Sequence, residues 1–197
     1  FQIKEMNYYY YKNSEDIHRY AKIFFKKVKA KLIFVTGTNG KTSVAYGSSQ
    51  LMAINDIKTS YIGTLGFYIN SKKIKDLNNT TPSFLEILYL LAYSDKLSVK
   101  YVFLEASSIG FIEGRLGYLN YDYCLLTNLE TDHLDYHKNL KNYHNSKLSI
   151  VKNHSKKKSK IIIQDHNLIE KLGYIDNEII SQDNFIWSFR FCLTIIL

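Results

Sequence analysis

The chain has 197 residues, 46% of them hydrophobic and 15% aromatic, and a formal net charge of +8. This composition supports a packed core and excludes a disordered chain, and the length suits one large domain or slightly more. The charge comes from lysines spread along the chain, with few arginines and no basic-aromatic repeat. It therefore gives little support to a nucleic-acid-binding protein, which we keep as a third alternative.

Residues 1–30 are polar and rich in Tyr and Lys, and apolar side chains recur at helical spacing from Ser14 to about Lys29. This pattern predicts a lead-in helix, not a domain of its own. Residues 31–197 then form the predicted main domain, which opens with a short apolar run, Leu32 to Val35. Such a run predicts a buried strand.

Residues 36–43, Thr36-Gly37-Thr38-Asn39-Gly40-Lys41-Thr42-Ser43, follow this strand and are called the glycine loop below. Glycines let backbone N–H groups approach phosphate oxygens, and the N-terminus of a following helix adds a positive dipole. A lysine in this place reaches the β- and γ-phosphates, and the next hydroxyl binds Mg²⁺. Val35 stands where the general pattern has its first glycine, so the loop is a variant. The alternative is an ordinary turn with a solvated lysine.

Further along the chain, strands alternate with helices. The predicted helices are Val44–Ile54, Pro82 to about Ser94 with Thr81 as its cap, Asn142–Lys152 and Asn167–Leu172. The predicted strands are Ser60–Leu65, Phe67–Ile69, Lys100–Leu104, Tyr121–Leu126, Lys160–Ile163 and Ile179–Ile180, with a turn over Asn70–Lys73. This alternation predicts an α/β fold with a doubly wound, mostly parallel sheet.

Polar clusters follow four of the predicted strands: Thr36–Thr42, Glu105–Ser108, Thr127–His137 and Gln164–Asp165. Ligands of such sheets bind beyond the carboxyl ends of the strands, so these clusters are expected to meet on one rim. Glu105 directly after a buried strand suits an Mg²⁺ ligand, with a helix cap or an ion pair as the alternative. His133 suits a metal or phosphate contact, and His137 equally suits a packing or solvated role. Lys147 alone reads as a surface lysine.

Cys124 and Cys192 are too few and too far apart for a disulfide framework or a metal knuckle. The N-terminus lacks the pattern of a signal peptide, and no apolar run approaches the roughly 20 residues of a membrane-spanning helix. We therefore expect a reducing compartment, the cytoplasm, with no membrane or nucleic-acid partner and a monomeric chain.

These motifs together resemble the central ATP-binding domain of the Mur ligases, which add amino acids to the peptidoglycan precursor. The resemblance covers roughly Asn13 to Leu172. Within the family, Thr80-Thr81-Pro82, Leu104-Glu105-Ala106-Ser107-Ser108 with Arg115, and Thr127 to His137 are most similar to the ligases that add the third peptide residue. The family's loop also lacks the extra upstream glycine, which accounts for Val35.

The resemblance implies a role for each matching residue. Gly37, Thr38, Asn39, Gly40, Lys41, Thr42 and Ser43 would bind ATP, with Lys41 on the β- and γ-phosphates. Thr42, Glu105 and His133 would be metal ligands, joined by Lys147 if it is carbamylated. Thr80, Thr81, Ser107 and Arg115 would hold the UDP-N-acetylmuramoyl dipeptide. Lys41, Glu105, His133 and Lys147 would be the catalytic set.

The implied reaction is ATP- and Mg²⁺-dependent amide formation through an acyl phosphate, joining meso-diaminopimelate or L-lysine to UDP-N-acetylmuramoyl-L-alanyl-D-glutamate. Two positions depart from the family: Ile109 replaces a usual His, and Glu113 replaces a frequent Gln. The resemblance also implies that the central domain is incomplete at its C-terminal end and that the flanking domains are absent. A nucleotide-binding fragment without ligase activity, or a folylpolyglutamate-synthase-like ligase, remain the alternatives.

Overall fold

The computed structural model describes residues 21, 28–132, 134–163, 167–173 and 176–181, and the following account refers to these residues. Their strands are β1 Lys31–Thr36, β2 Thr59–Gly63, β3 Gly66–Ile69, β4 Lys72–Lys75, β5 Tyr101–Glu105, β6 Tyr121–Leu126, β7 Ser155–Ile163 and β8 Glu178–Ser181. Their helices are α1 Lys41–Ile54, α2 Phe84–Lys96, α3 Ser108–Ile112, α4 Leu134–His137, α5 Leu140–Asn153 and α6 Asn167–Leu172.

The eight strands form one sheet in the order β4-β3-β2-β5-β1-β6-β7-β8. Every pairing from β2 across to β8 is parallel, and only β3 and β4 are added antiparallel at one side. The first strand, β1, lies between β5 and β6, so the chain extends the sheet on both sides of its starting strand. This arrangement confirms the predicted α/β fold with a mostly parallel sheet.

The buried strands separate two apolar layers because successive side chains point to opposite faces. Along β1, Leu32 and Phe34 join one core, whereas Ile33 and Val35 join the other. Helix α1 covers the second core through Val44, Ala45 and Met52, and α2, α5 and α6 contribute buried side chains to the first. Helices thus cover both faces of the sheet. None of the helices in the described ranges is long and apolar enough to cross a membrane.

Most predicted elements are present with ends shifted by a few residues, but four details differ. Strand β4 lies where the sequence predicted the end of a turn, and the short helices α3 and α4 were not predicted. Thr81 does not cap α2: the helix begins at Phe84, and the Ser83 hydroxyl accepts the N–H of Glu86 at 3.4 Å. Pro82 therefore precedes the helix instead of opening it. The predicted lead-in helix falls largely outside the described residues.

Candidate functional site

The carboxyl ends of four neighbouring parallel strands lie side by side. In the register, Val35 pairs with Glu105 and Thr36 with Leu126, so β1, β5 and β6 end at the same level, and β2 ends beside β5. The segments that follow these strands are the glycine loop, Glu105–Ser108, residues 127–132 and the β2–β3 turn. Three of the predicted polar clusters therefore meet on one rim; Gln164–Asp165 lies outside the described residues.

Two residues of the glycine loop have a positive φ, +140° at Gly37 and +81° at Gly40. A Cβ atom at Gly37 would lie 1.9 Å from the Thr127 hydroxyl oxygen, so only glycine fits there. Asn128 anchors the loop from the next strand end: its Oδ1 atom accepts the N–H groups of Thr38 at 3.1 Å and Asn39 at 2.9 Å. The end of β6 thus fixes the position of the loop backbone.

Helix α1 begins within the glycine loop, at Lys41, without a side-chain cap and without an acidic residue in its first turn. Three other helices, α2, α3 and α5, are each capped by a side-chain oxygen that accepts a first-turn N–H. The first N–H groups of a helix have no intrahelical partner, and the helix dipole favours negative charge at this end. The start of α1 therefore suits an anion such as a phosphate group.

Two lysines point into the loop from different elements. The Lys41 ammonium donates to the carbonyl oxygens of Gly37 at 3.0 Å and Thr38 at 2.8 Å, and Lys147 of α5 donates to the same Gly37 oxygen at 2.7 Å. Lys147 is 1% exposed, although the sequence alone placed it on the surface. The structure thus brings the amino groups of two lysines to the carbonyl oxygen of Gly37.

Burial changes the titration of both lysines. It lowers the pKa of Lys41, while the negative charges of Glu105 and Asp132 act in the opposite direction. Burial, and next the positive charge of Lys41, lower the pKa of Lys147 to about 7, again partly opposed by Asp132. Lys147 is therefore close to half neutral at neutral pH, which is uncommon for a lysine.

Glu105 is completely buried, and four donors surround its carboxylate. The Thr42 hydroxyl donates to Oε2 at 2.9 Å, and the Thr64 hydroxyl donates to the same atom at 3.3 Å. The Tyr61 hydroxyl and the N–H of Thr64 donate to Oε1. A hydroxyl and a carboxylate side by side are hard oxygen ligands, which fit Mg²⁺ when phosphate oxygens complete its shell.

A cavity of about 200 Å³ lies between the loop and the segments after β5. The residues that line it are Lys41, Asn79, Thr80, Thr81, Ser107, Ser108, Ile109, Arg115 and Lys147. Three of them are basic, and Lys41 and Arg115 bring positive charge, so the cavity suits an anionic group. Its size is below the roughly 300–1,000 Å³ that encloses a whole small ligand, so it suits the reacting end of a larger substrate.

The predicted substrate-binding residues are braced against one another in this cavity. Thr81 donates its hydroxyl to the Glu105 carbonyl at 2.8 Å and accepts the Ser107 N–H at 2.9 Å. The Arg115 guanidinium donates to the Thr81 carbonyl at 2.9 Å and forms an ion pair with Glu113. Arginine has five N–H donors, so further anionic contacts remain open to it. Glu113, which stands where the resemblance implies a frequent Gln, thus partly balances the Arg115 charge.

The structure therefore brings the glycine loop, Glu105, Lys147, Thr80, Thr81, Ser107 and Arg115 to one site. His133 lies outside the described residues. His137 is buried, with Nε2 3.1 Å from the Ser108 hydroxyl and its ring against Tyr143, in keeping with a packing role. Sequence reasoning missed Tyr61 and Thr64. The one available signal was a tyrosine hydroxyl in the middle of an otherwise buried strand.

Comparisons with known proteins bear on the family and the fold of the chain. Residues 35–184 match the model of the Mur ligase middle domain. UDP-N-acetylmuramoyl-L-alanyl-D-glutamate–2,6-diaminopimelate ligase of Helicobacter pylori is 39% identical over 124 residues, which are 63% of this chain and 28% of that protein. A solved structure of a ligase with the same name as the Helicobacter protein matches with a TM-score of 0.67 and 26% identity, over 85% of this chain and 34% of the other.

Mycobacterium tuberculosis folylpolyglutamate synthase matches with a TM-score of 0.57 and 17% identity, over 80% of this chain and 44% of the other, which shows a shared fold alone. The chain spans about a third or less of the diaminopimelate ligases it matches. Because the family model covers 150 of the 197 residues, from 35 to 184, the chain belongs to the Mur ligase family, and its matching residues are those of the middle domain.

Proposed function

We propose that this chain carries the ATP-binding and phosphoryl-transfer site of an ATP- and Mg²⁺-dependent amide-bond ligase. Its substrates would be UDP-N-acetylmuramoyl-L-alanyl-D-glutamate and a diamino acid, meso-diaminopimelate or L-lysine. The observation that carries the proposal is the convergence of Lys41, Lys147 and Arg115 on one cavity beside the Thr42–Glu105 pair. The names of the Helicobacter relative and of the solved ligase support this choice of substrate class.

The residues divide between the two substrates. The glycine loop and the uncapped start of α1 receive the phosphates of ATP, and Lys41 exchanges its carbonyl contacts for phosphate oxygens. Thr80, Thr81, Ser107 and Arg115 orient the precursor, with the Arg115 guanidinium suited to a carboxylate or phosphate. The cavity between them is where the acceptor carboxylate meets the γ-phosphate.

The reaction balances in two steps. An oxygen of the D-glutamate carboxylate bonds to the γ-phosphorus, and the bond from that phosphorus to the ADP oxygen breaks, which gives an acyl phosphate and ADP. The neutral amine of the diamino acid then bonds to the acyl carbon, loses a proton, and expels phosphate. Lys41 and the loop N–H groups hold the charge that spreads over the transferring phosphoryl oxygens.

Thr42, Glu105, His133 and a carbamylated Lys147 would hold Mg²⁺. When bound, the metal supplies positive charge to the phosphate oxygens and aligns the attacking and leaving groups. The hard oxygen set at Thr42 and Glu105 is what supports this assignment in the described residues.

An oxygen-transfer experiment tests the proposal. The acceptor carboxylate is labelled with ¹⁸O, and the chain is incubated with it, MgATP and meso-diaminopimelate or L-lysine. Because the carboxylate oxygen leaves with the phosphate, we expect amide product together with one ¹⁸O atom in the released phosphate. Phosphate without label would mean simple ATP hydrolysis, and nucleotide binding without amide product would reduce the site to a nucleotide-binding module; either result would overturn the proposal.

Carbamylation of Lys147 gives a second prediction. A neutral amine bonds to CO₂ and releases one proton, and the lowered pKa keeps much of Lys147 neutral at physiological pH. In ¹³C NMR with labelled bicarbonate, we expect a carbamate signal that grows as the pH rises from about 6 to about 8, through the pKa of the amine. The signal should vanish in Lys147→Arg and persist in Lys141→Arg, an exposed lysine of the same helix. A signal that is unchanged in Lys147→Arg would contradict the assignment.

A further inference from the structure

The orientation of the Glu105 carboxylate is set mainly from the end of β2, not from the glycine loop. Three of its four donors come from the β2–β3 region: the Tyr61 hydroxyl, the Thr64 N–H at 3.2 Å from Oε1, and the Thr64 hydroxyl at 3.3 Å from Oε2. The fourth is the Thr42 hydroxyl, 2.9 Å from Oε2. Oε1 is therefore committed to β2, and Oε2 is the oxygen that faces the loop.

Tyr61 is fixed in the position that this contact requires. Its side chain is completely buried, and the rings of Tyr46 and Tyr68 pack edge-on against it with centroid distances of 5.3 Å and 6.0 Å. Its hydroxyl oxygen accepts the N–H of Leu65 at 3.2 Å. That bond orients the hydroxyl so that its proton points at Glu105.

Gly63 supplies the space between these two groups. A Cβ atom there would lie 2.3 Å from Glu105 Oε1 and 2.5 Å from the Tyr61 hydroxyl oxygen. Its φ is not in the left-handed region, so the reason for glycine is room, not backbone conformation. The Tyr61 hydroxyl thus binds Oε1 of the carboxylate, and the absence of a side chain at Gly63 leaves the space for this contact.

We infer that Tyr61 is a positioning residue for the metal site: by holding Glu105 Oε1, it presents Oε2 beside the Thr42 hydroxyl and raises the affinity of the nucleotide-loaded site for a divalent cation. Partners that orient a ligating carboxylate from behind typically change metal affinity or activity by about 10- to 100-fold when they are removed. The inference rests on the proposed function, since it takes Glu105 as a metal ligand.

The test measures binding, not turnover. Mn²⁺ is titrated into the chain in the presence of a non-hydrolysable ATP analogue and followed by electron paramagnetic resonance. We expect Tyr61→Phe to weaken Mn²⁺ binding by about 10-fold or more. Tyr68→Phe is the matched control, because Tyr68 lies in the same aromatic cluster. We expect the Tyr68→Phe variant to bind Mn²⁺ as tightly as the unmodified chain does. Binding of the analogue with metal removed by a chelator should be the same in both variants.

Gly63→Ala provides a second variant, because its methyl group would force Oε1 and the Tyr61 hydroxyl apart without removing the hydroxyl. We expect it to weaken Mn²⁺ binding as well. Glu105→Gln distinguishes the positioning role of Tyr61 from the role of Glu105 as a metal ligand. If Glu105→Gln weakens Mn²⁺ binding and Tyr61→Phe does not, the positioning role is overturned and the metal assignment stands. If neither changes it, the metal assignment fails too. If Tyr61→Phe weakens binding of the ATP analogue equally with and without metal, Tyr61 has a purely structural role and the inference is overturned.

Discussion

Replacing Lys41 by Ala is expected to weaken ATP binding by about 10- to 100-fold, because a hydrogen bond to a charged group contributes about 1.5–3 kcal/mol. Formation of ADP in the ligase assay should fall further, by at least about 100- to 1,000-fold, since the ammonium meets charge that develops only during transfer. Calorimetric titration with MgATP measures the first effect, and ADP release measures the second. The ammonium already lies 2.8–3.0 Å from two loop carbonyls, where phosphate oxygens would replace them.

Lys72→Ala is the matched control for this loss of one positive charge. Lys72 is exposed on β4, far along the sheet from the glycine loop, and its removal should leave the affinity for MgATP unchanged. Thermal unfolding of both variants checks that the fold is kept. If Lys41→Ala bound MgATP as tightly as Lys72→Ala, the glycine loop would not be the phosphate site.

Gly37→Ala is expected to lower the free energy of unfolding by about 3 kcal/mol or more, since strained backbone and overpacking each cost about 1–3 kcal/mol. Gly37 has φ +140°, and the added Cβ atom would lie 1.9 Å from the Thr127 hydroxyl oxygen and 3.0 Å from the Asn128 nitrogen. Those residues also anchor the loop, so their displacement should abolish MgATP binding. Urea unfolding and calorimetry measure the two losses.

Gly114→Ala separates backbone strain from steric conflict. Gly114 has φ +69°, but a Cβ atom there would meet nothing within 4 Å. We expect a loss of only about 1–2 kcal/mol, the cost of a left-handed conformation for a residue with a Cβ atom, and unchanged nucleotide binding. Equal destabilisation by the two substitutions would mean that the contact between Gly37 and Thr127 does not constrain the loop.

The sequence was informative wherever one short stretch carries a whole pattern. The apolar run before the glycine loop predicted β1, and the bounds predicted for β6 and α6 are those of the structure. Strand β4 was missed because its lysines mask the alternation of an exposed strand. The cap of α2 was misassigned because Thr81 and Ser83 both flank Pro82, and only the tertiary contacts of the Thr81 hydroxyl exclude it.

The site was harder to predict because its contacts join residues that are distant in the sequence. Tyr61 and Glu105 are 44 positions apart in the sequence and meet only because β2 and β5 pair in parallel. No local pattern of residues encodes that register. Lys147 reaches the Gly37 carbonyl across 110 positions. Its spacing alone indicated a surface lysine, and only the resemblance to the Mur ligases singled it out.

Strand β4 ends the described sheet with four exposed residues, three of them lysines. An unpaired edge strand offers a row of backbone donors and acceptors to any extended segment that approaches it. Here an incoming strand would meet lysines at three of the four positions, and removing water from charged groups is costly in free energy. We therefore expect this edge to disfavour pairing with a strand of another chain.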